Sequence, residues 1–170
     1  MKTVVVFDTT VLVAGVLAMH PHHAPSAQLL AAAAAAPGSC RCTTHAIAEA
    51  YRVLVSLPLV PRCTPGQALA LIRESLIPRL TPAALTAKDY DRALEVASGS
   101  GLGGSAIYDA LHLVAAARLD ATGLVTANLK HFTRLADAAH LRIDIINPSN
   151  VPARFWESLG QALDVQRPRE

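Results

Sequence analysis

The chain has 170 residues, the length of one domain, and is 52% hydrophobic and 16% charged, which excludes a disordered chain and calls for a large core. Its net charge of +2 is too small to announce a nucleic-acid binder or to exclude one. Aromatics make up only 4% of residues, so the core must be built from Ala, Leu, Val and Ile. The same scarcity removes the stacking platforms that many single-strand RNA binders use.

Cys40, Cys42 and Cys63 are an odd set without a signal peptide before them, and read as reduced thiols in a cytoplasm. The Cys40-x-Cys42 pair has no second pair at zinc-ligand spacing. No apolar run reaches the ~18 residues of a membrane span without charge or proline.

In chain order, Thr3 to Phe7 is a β-branched run without alternation, the pattern of a strand buried on both faces. Asp8-Thr9-Thr10 stands at its carboxyl end, and Val11 to Met19 reads as helix. His20 to Pro25 is expected to be a loop, with Ser26 capping a helix that runs through the alanines to Pro37-Gly38. Ser39 to Thr43 is a short strand, and Thr44 is the expected cap of a helix to Leu57 with Ile47, Ala50, Tyr51 and Leu54 on one face. Prolines 58, 61 and 65 break the chain before a helix over Gln67 to Leu76 and an extended Ile77 to Leu80. Thr86 to Ala97 is helical, Gly99 to Gly104 a flexible loop, and Ile107 to Arg118 a strongly apolar helix. Gly123 to Thr126 and Leu141 to Ile146 are the remaining strands. Strands alternating with helices predict an α/β sandwich with a mostly parallel sheet in one domain, residues 1–148. Residues 149–170 form a tail whose Phe155, Trp156, Leu159 and Leu163 suggest a short docking helix.

In open parallel sheets, chemistry gathers at the carboxyl ends of the strands, where Asp8 sits. A capping role for Asp8 is the plain alternative. Asp109 lies on a helix whose apolar residues point in nearly every direction, so its carboxylate is costly unless paired or bound to a cation. A structural pair with His112 is the competing explanation. Glu49 falls away from the apolar stripe of its helix and alone reads as a solvated side chain.

Taken in order, Asp8-Thr-Thr-Val-Leu-Val, Glu49, Tyr108-Asp109-Ala-Leu-His112-Leu-Val and Leu124-Val-Thr126-Ala-Asn128-Leu-Lys-His131-Phe132 resemble the PIN-domain nucleases, and within them the VapC-type toxins of toxin–antitoxin pairs. The resemblance runs from about residue 3 to about residue 148 and implies a PIN-like α/β/α sandwich. It implies Asp8, Glu49 and Asp109 as ligands of one or two Mg²⁺ or Mn²⁺ ions, with Thr126 and Asn128 beside them in the catalytic set. Hard cations prefer carboxylate oxygens, and two ions roughly 3.5–4 Å apart can activate water and neutralise a leaving oxygen. The implied reaction is hydrolysis of an RNA phosphodiester to 5′-phosphate and 3′-hydroxyl ends. The implied partners are RNA, an antitoxin protein and a second copy of the chain, in the cytoplasm. The family's last motif usually carries a fourth acid, where this chain has Asn128 and His131. That departure motivates a second reading, a degenerate PIN domain that binds RNA or a protein without cleaving.

Other motifs carry less. Gly99-Ser-Gly101-Leu-Gly-Gly104 matches G-x-G-x-x-G but follows a helix instead of a strand, so it reads as a hinge or lid bordering the pocket and not as a dinucleotide loop. His20, His22 and His23 lie among prolines and read as a solvent loop. Asp8-Thr-Thr lacks the second aspartate of an aspartyl-phosphate phosphatase.

Overall fold

The computed structural model describes residues 4–158. The central strand β1 (Val5–Phe7) is flanked by β2 (Cys40–Thr43) and β4 (Gly123–Val125), with β3 (Thr81–Ala83) and β5 (Asp144–Ile146) at the edges. The order is β3-β2-β1-β4-β5, and every pairing is parallel. The helices are α1 (Thr9–Val16), α2 (His23–Ala35), α3 (Thr44–Ser56), α4 (Pro65–Leu71), α5 (Ala87–Gly99), α6 (Ala106–Arg118), α7 (Leu129–Ala138) and α8 (Ala153–Ser158). The fold is a PIN-like α/β/α sandwich, and its sheet is wholly parallel.

The unbroken apolar run of β1 has its cause in this layering. Val5 and Phe7 face a core shared with α1, α2 and α3, while Val6 faces a second core built on α5, α6 and α7. All three are fully buried, and each such side chain contributes roughly 1.5–3 kcal/mol. Gly15 lets α1 and α2 approach closely, because a Cβ there would lie 2.4 Å from Leu30 Cδ1. Phe155 of α8 is buried in the first core; Leu159 and Leu163 lie outside the described residues.

Several local expectations are corrected. The helix expected to be capped by Ser26 starts earlier, at His23; Pro25 in its first turn has no N–H to leave unpaired, and Ser26 is buried inside the helix. Thr43, not Thr44, caps α3, its Oγ1 accepting the Ala46 amide at 2.9 Å. The segment Ile77 to Leu80 is not extended. A π-helical turn over Ile72–Leu76 continues α4, hydrogen bonds from Arg79 and Leu80 back to Leu76 close the chain, and the strand follows at Thr81. Pro82 is tolerated there because β3 is an edge strand. Helix α7 carried no assignment from sequence, although Phe132, Leu135 and Ala136 form its buried stripe.

Candidate active site

The strand order reverses between β1 and β4, and the crevice beyond their carboxyl ends is where an open parallel sheet binds ligands. Asp8 follows β1 and Thr126 follows β4. Asp8 occupies the N-cap position of α1, but its side chain makes no cap hydrogen bond. Its Oδ2 instead accepts from Thr10 Oγ1 and Thr126 Oγ1, each at 2.8 Å. Both hydroxyls also accept a backbone amide, Thr10 from Ala127 at 3.1 Å and Thr126 from Asn128 at 2.9 Å. Each therefore has its one proton directed at Asp8, which is held at both sides in a buried position.

Glu49 on α3 is brought to the same place by Thr9, whose hydroxyl donates to Oε2 at 2.7 Å. His112 on α6 is fully buried behind both acids. Its Nε2 lies 3.3 Å from Thr9 Oγ1, 3.6 Å from Asp8 Oδ1 and 3.7 Å from Glu49 Oε2, and its Nδ1 lies 2.9 Å from Thr43 Oγ1. The Thr9 proton is committed to Glu49, so Nε2 must carry the hydrogen at that contact and point it toward the two carboxylates. This contact with His112 is the largest cause holding Glu49 down at about 2; burial opposes it, and the Thr9 hydroxyl adds to it.

Asp109 projects from the first turn of α6. Its Oδ2 accepts from Asn128 Nδ2 at 3.2 Å and stands 3.3 Å from His131 Nδ1. Burial and then the charge of Asp8 hold Asp109 above the ordinary carboxylate range, against the opposing pull of His131 and His112. A cleft of about 690 Å³ opens here, lined by Glu49, Asp109, Asn128 and His131, with His45 and Tyr108 also in its wall.

The structure thus brings Asp8, Glu49, Asp109, Thr126 and Asn128 to one end of the sheet. Thr9, Thr10 and His112, sequence neighbours of these acids, complete the arrangement. Thr9 holds Glu49 and Thr10 holds Asp8, while His112, the competing structural partner of Asp109 on sequence grounds, faces Asp8 and Glu49 instead. A histidine on a helix apolar in nearly every direction was the available signal, since a buried ring must find partners. Ser105 at the end of the glycine loop lines the cleft, and Arg134 ties the loop down by donating to the carbonyls of Ser100 and Gly101. His20, His22 and His23 do not line it.

Carboxylate oxygens suit Mg²⁺ or Mn²⁺, and the raised proton affinity of Asp109, caused first by burial and then by the charge of Asp8, is one that a cation beside it would lower. Among the described residues, no three His, Cys, Asp or Glu side chains stand as a ready-made ligand group. Asp8, Glu49 and Asp109 are instead satisfied by hydrogens of neighbouring threonines, Asn128 and His131. The donor chemistry fits a divalent ion once those contacts yield.

The search of curated proteins finds no significant match. Among solved structures, a chain of the "Structure of FitAB bound to IR36 DNA fragment" superposes with a TM-score of 0.60 at 13% identity. The match covers 87% of this chain and 97% of that one, a likeness of fold. The PIN domain family pattern matches residues 5–138, spanning β1 through α7. The chain belongs to the PIN domain family.

Proposed function

We propose that this chain is a metal-dependent endoribonuclease acting as the toxin of a toxin–antitoxin pair in the cytoplasm. The carrying observation is the gathering of Asp8, Glu49 and Asp109 at the switch point of the sheet, where Glu49 and Asp109 line one cleft, His112 stands between Asp8 and Glu49, and the charge of Asp8 acts on Asp109. PIN domains are generally nucleases, which supports the same reading.

In this reading Asp8, Glu49 and Asp109 hold Mg²⁺ or Mn²⁺, one or two ions, which when bound supplies charge neutralisation and Lewis acidity at the scissile phosphate. Water adds to phosphorus, the bond to the 3′-oxygen breaks, and 5′-phosphate and 3′-hydroxyl ends result. Thr126 acts through Asp8, because its proton is already given to that carboxylate. Thr9 and His112 fix Glu49 in the same manner. Asn128 and His131 lean on Asp109 in place of a fourth acid, so the acidic set stays at Asp8, Glu49 and Asp109. That substitution favours the second reading, a PIN domain that binds without cleaving.

The partner is proposed to be an antitoxin that lays an apolar segment on the surface and directs a basic residue at the acids. FitAB, the structural relative bound to a DNA fragment, is in keeping with such a partnership. Exposed Val60, Leu69 and Ile77 offer apolar area to it or to a second copy in a homodimer. Among the described residues no helix is long and apolar enough to cross a membrane.

The test is incubation of the purified chain with total cellular RNA and Mg²⁺ or Mn²⁺, beside EDTA and an Asp109→Asn variant. Discrete fragments that disappear with EDTA and with the variant are expected. Intact RNA in every lane, from folded protein and several RNA sources, transfers the assignment to the binding module.

A further inference from the structure

One of the chain's few large aromatics stands at the mouth of the acidic cleft. Tyr108 precedes Asp109 on α6 and leaves 48% of its surface in solvent. Its ring is stacked on His45, one turn before Glu49 on α3, with centroids 5.2 Å apart and planes 9° from parallel. His45 in turn lies 5.9 Å from the buried His112 ring at 51°. Three rings thus form a column that starts behind Asp8 and Glu49 and ends at an exposed tyrosine. The stacked His45 ring behind it leaves the other side of the tyrosine ring toward solvent.

Burial and the neighbouring His112 hold His45 below the ordinary imidazole range, so it is a neutral stacking partner at pH 7. Arg52 lines the same cleft, 66% exposed in its side chain and 3.8 Å from Glu49. The wall of the cleft therefore presents a flat ring, a guanidinium and carboxylates. Those are complementary to a nucleobase, a flanking phosphate and a cation-bridged phosphate.

We propose that the Tyr108–His45 pair is a stacking platform for one unpaired RNA base next to the scissile phosphate. This inference rests on the ribonuclease reading and narrows its substrate to single-stranded RNA at that position. A duplex keeps its bases stacked on each other and cannot lend a face to Tyr108. It also corrects the expectation from composition that stacking platforms are missing: a scarce residue type suffices when it is placed at the site. Tyr108 binds substrate and moves no proton.

The test measures fluorescence anisotropy of a labelled single-stranded 12-mer RNA, and of an abasic ribose-phosphate chain of equal length, with Ca²⁺ in place of Mn²⁺. Thermal melting of each variant checks folding. Tyr108→Leu is expected to weaken RNA binding about tenfold, the scale of one lost base–aromatic stack, and to leave the abasic chain unchanged. Tyr108→Phe, which keeps the ring, stays within about twofold of the parent on the same reasoning. A purely structural tyrosine would not distinguish the two chains. If Tyr108→Leu does not fold, Tyr108→Trp carries the test, since a larger face predicts tighter RNA binding and no change on the abasic chain. Parent and Tyr108→Leu proteins that bind RNA equally overturn the platform alone. A parent that binds neither chain overturns the ribonuclease reading and the platform with it.

Discussion

Asp109→Asn is expected to stabilise the metal-free protein while removing its response to metal. Burial and the charge of Asp8 raise the proton affinity of Asp109 in the folded state above that of the unfolded chain. Between those two affinities the folded state binds more protons, so stability falls as pH rises through that window, and above it the cost of the charge is fully present. Asparagine removes the charge and keeps an oxygen that can accept from Asn128 or His131. Removal of an unfavourable charge typically stabilises by about 0.5–2 kcal/mol. For a domain of this size that corresponds to a rise of roughly 1–8 °C in melting temperature. The assay is thermal unfolding at pH 7 in EDTA and again in Mn²⁺. The parent should gain about 2.7 kcal/mol when Mn²⁺ is a hundredfold above its dissociation constant, and the variant little of it. A variant less stable than the parent in EDTA, or one equally stabilised by Mn²⁺, refutes the picture of uncompensated acids awaiting a cation.

Other expectations concern the scaffold. Asp89 is buried; burial raises its proton affinity, but the Thr86 amide and hydroxyl and the Arg118 guanidinium outweigh it and leave it below the ordinary value. Its contribution is therefore present above the unfolded value of 3.8 and lost as pH falls below it. Asp89→Asn should lower stability in urea by about 1–3 kcal/mol at pH 7 and converge with the parent toward pH 2; a gap that persists there contradicts the assignment. Ser26 Oγ is buried with no hydrogen-bond partner among the described residues, so Ser26→Ala should raise stability by about 1 kcal/mol in the same titration. Burial pushes Cys40 and Cys42 up to about 12, whereas Cys63 is only partly buried. A thiol reagent should label Cys63 alone in the native protein, and rapid labelling of all three without denaturant would disprove the packing.

The layers of the fold were legible because buried parallel strands leave an unmistakable run such as Val4-Val5-Val6-Phe7, and because Asp8 marks its carboxyl end. Boundaries were less legible. Thr43 and Thr44 are equivalent as caps until the ladder of β2 fixes which one is extended, and only that one can accept the Ala46 amide. Helix α7 is short and mostly polar outside Phe132, Leu135 and Ala136, so its helical spacing is a weak signal beside the Thr126, Asn128 and His131 motif. Asp8 and Asp109 could be picked out from a strand end and from an apolar helix, whereas Glu49 read as a solvated side chain and entered only through the family resemblance. What joins the acids could not be picked out. The bonds from Thr126 to Asp8 and from Thr43 to His112 span 118 and 69 residues, and it takes the parallel sheet, with α6 packed on it, to bring those residues together. The stacking of Tyr108 on His45 was hidden for the same reason, and composition pointed the other way.

The most direct test of the central claim is cleavage of a synthetic single-stranded RNA in ¹⁸O-labelled water with Mn²⁺, with the ends read by mass spectrometry. Water-mediated hydrolysis at the three-acid cleft predicts 5′-phosphate ends carrying one ¹⁸O and 3′-hydroxyl ends, lost with EDTA and with each of Asp8→Asn, Glu49→Gln and Asp109→Asn. Cyclic 2′,3′-phosphate ends that persist in EDTA, or an RNA left whole by the parent protein, would contradict it.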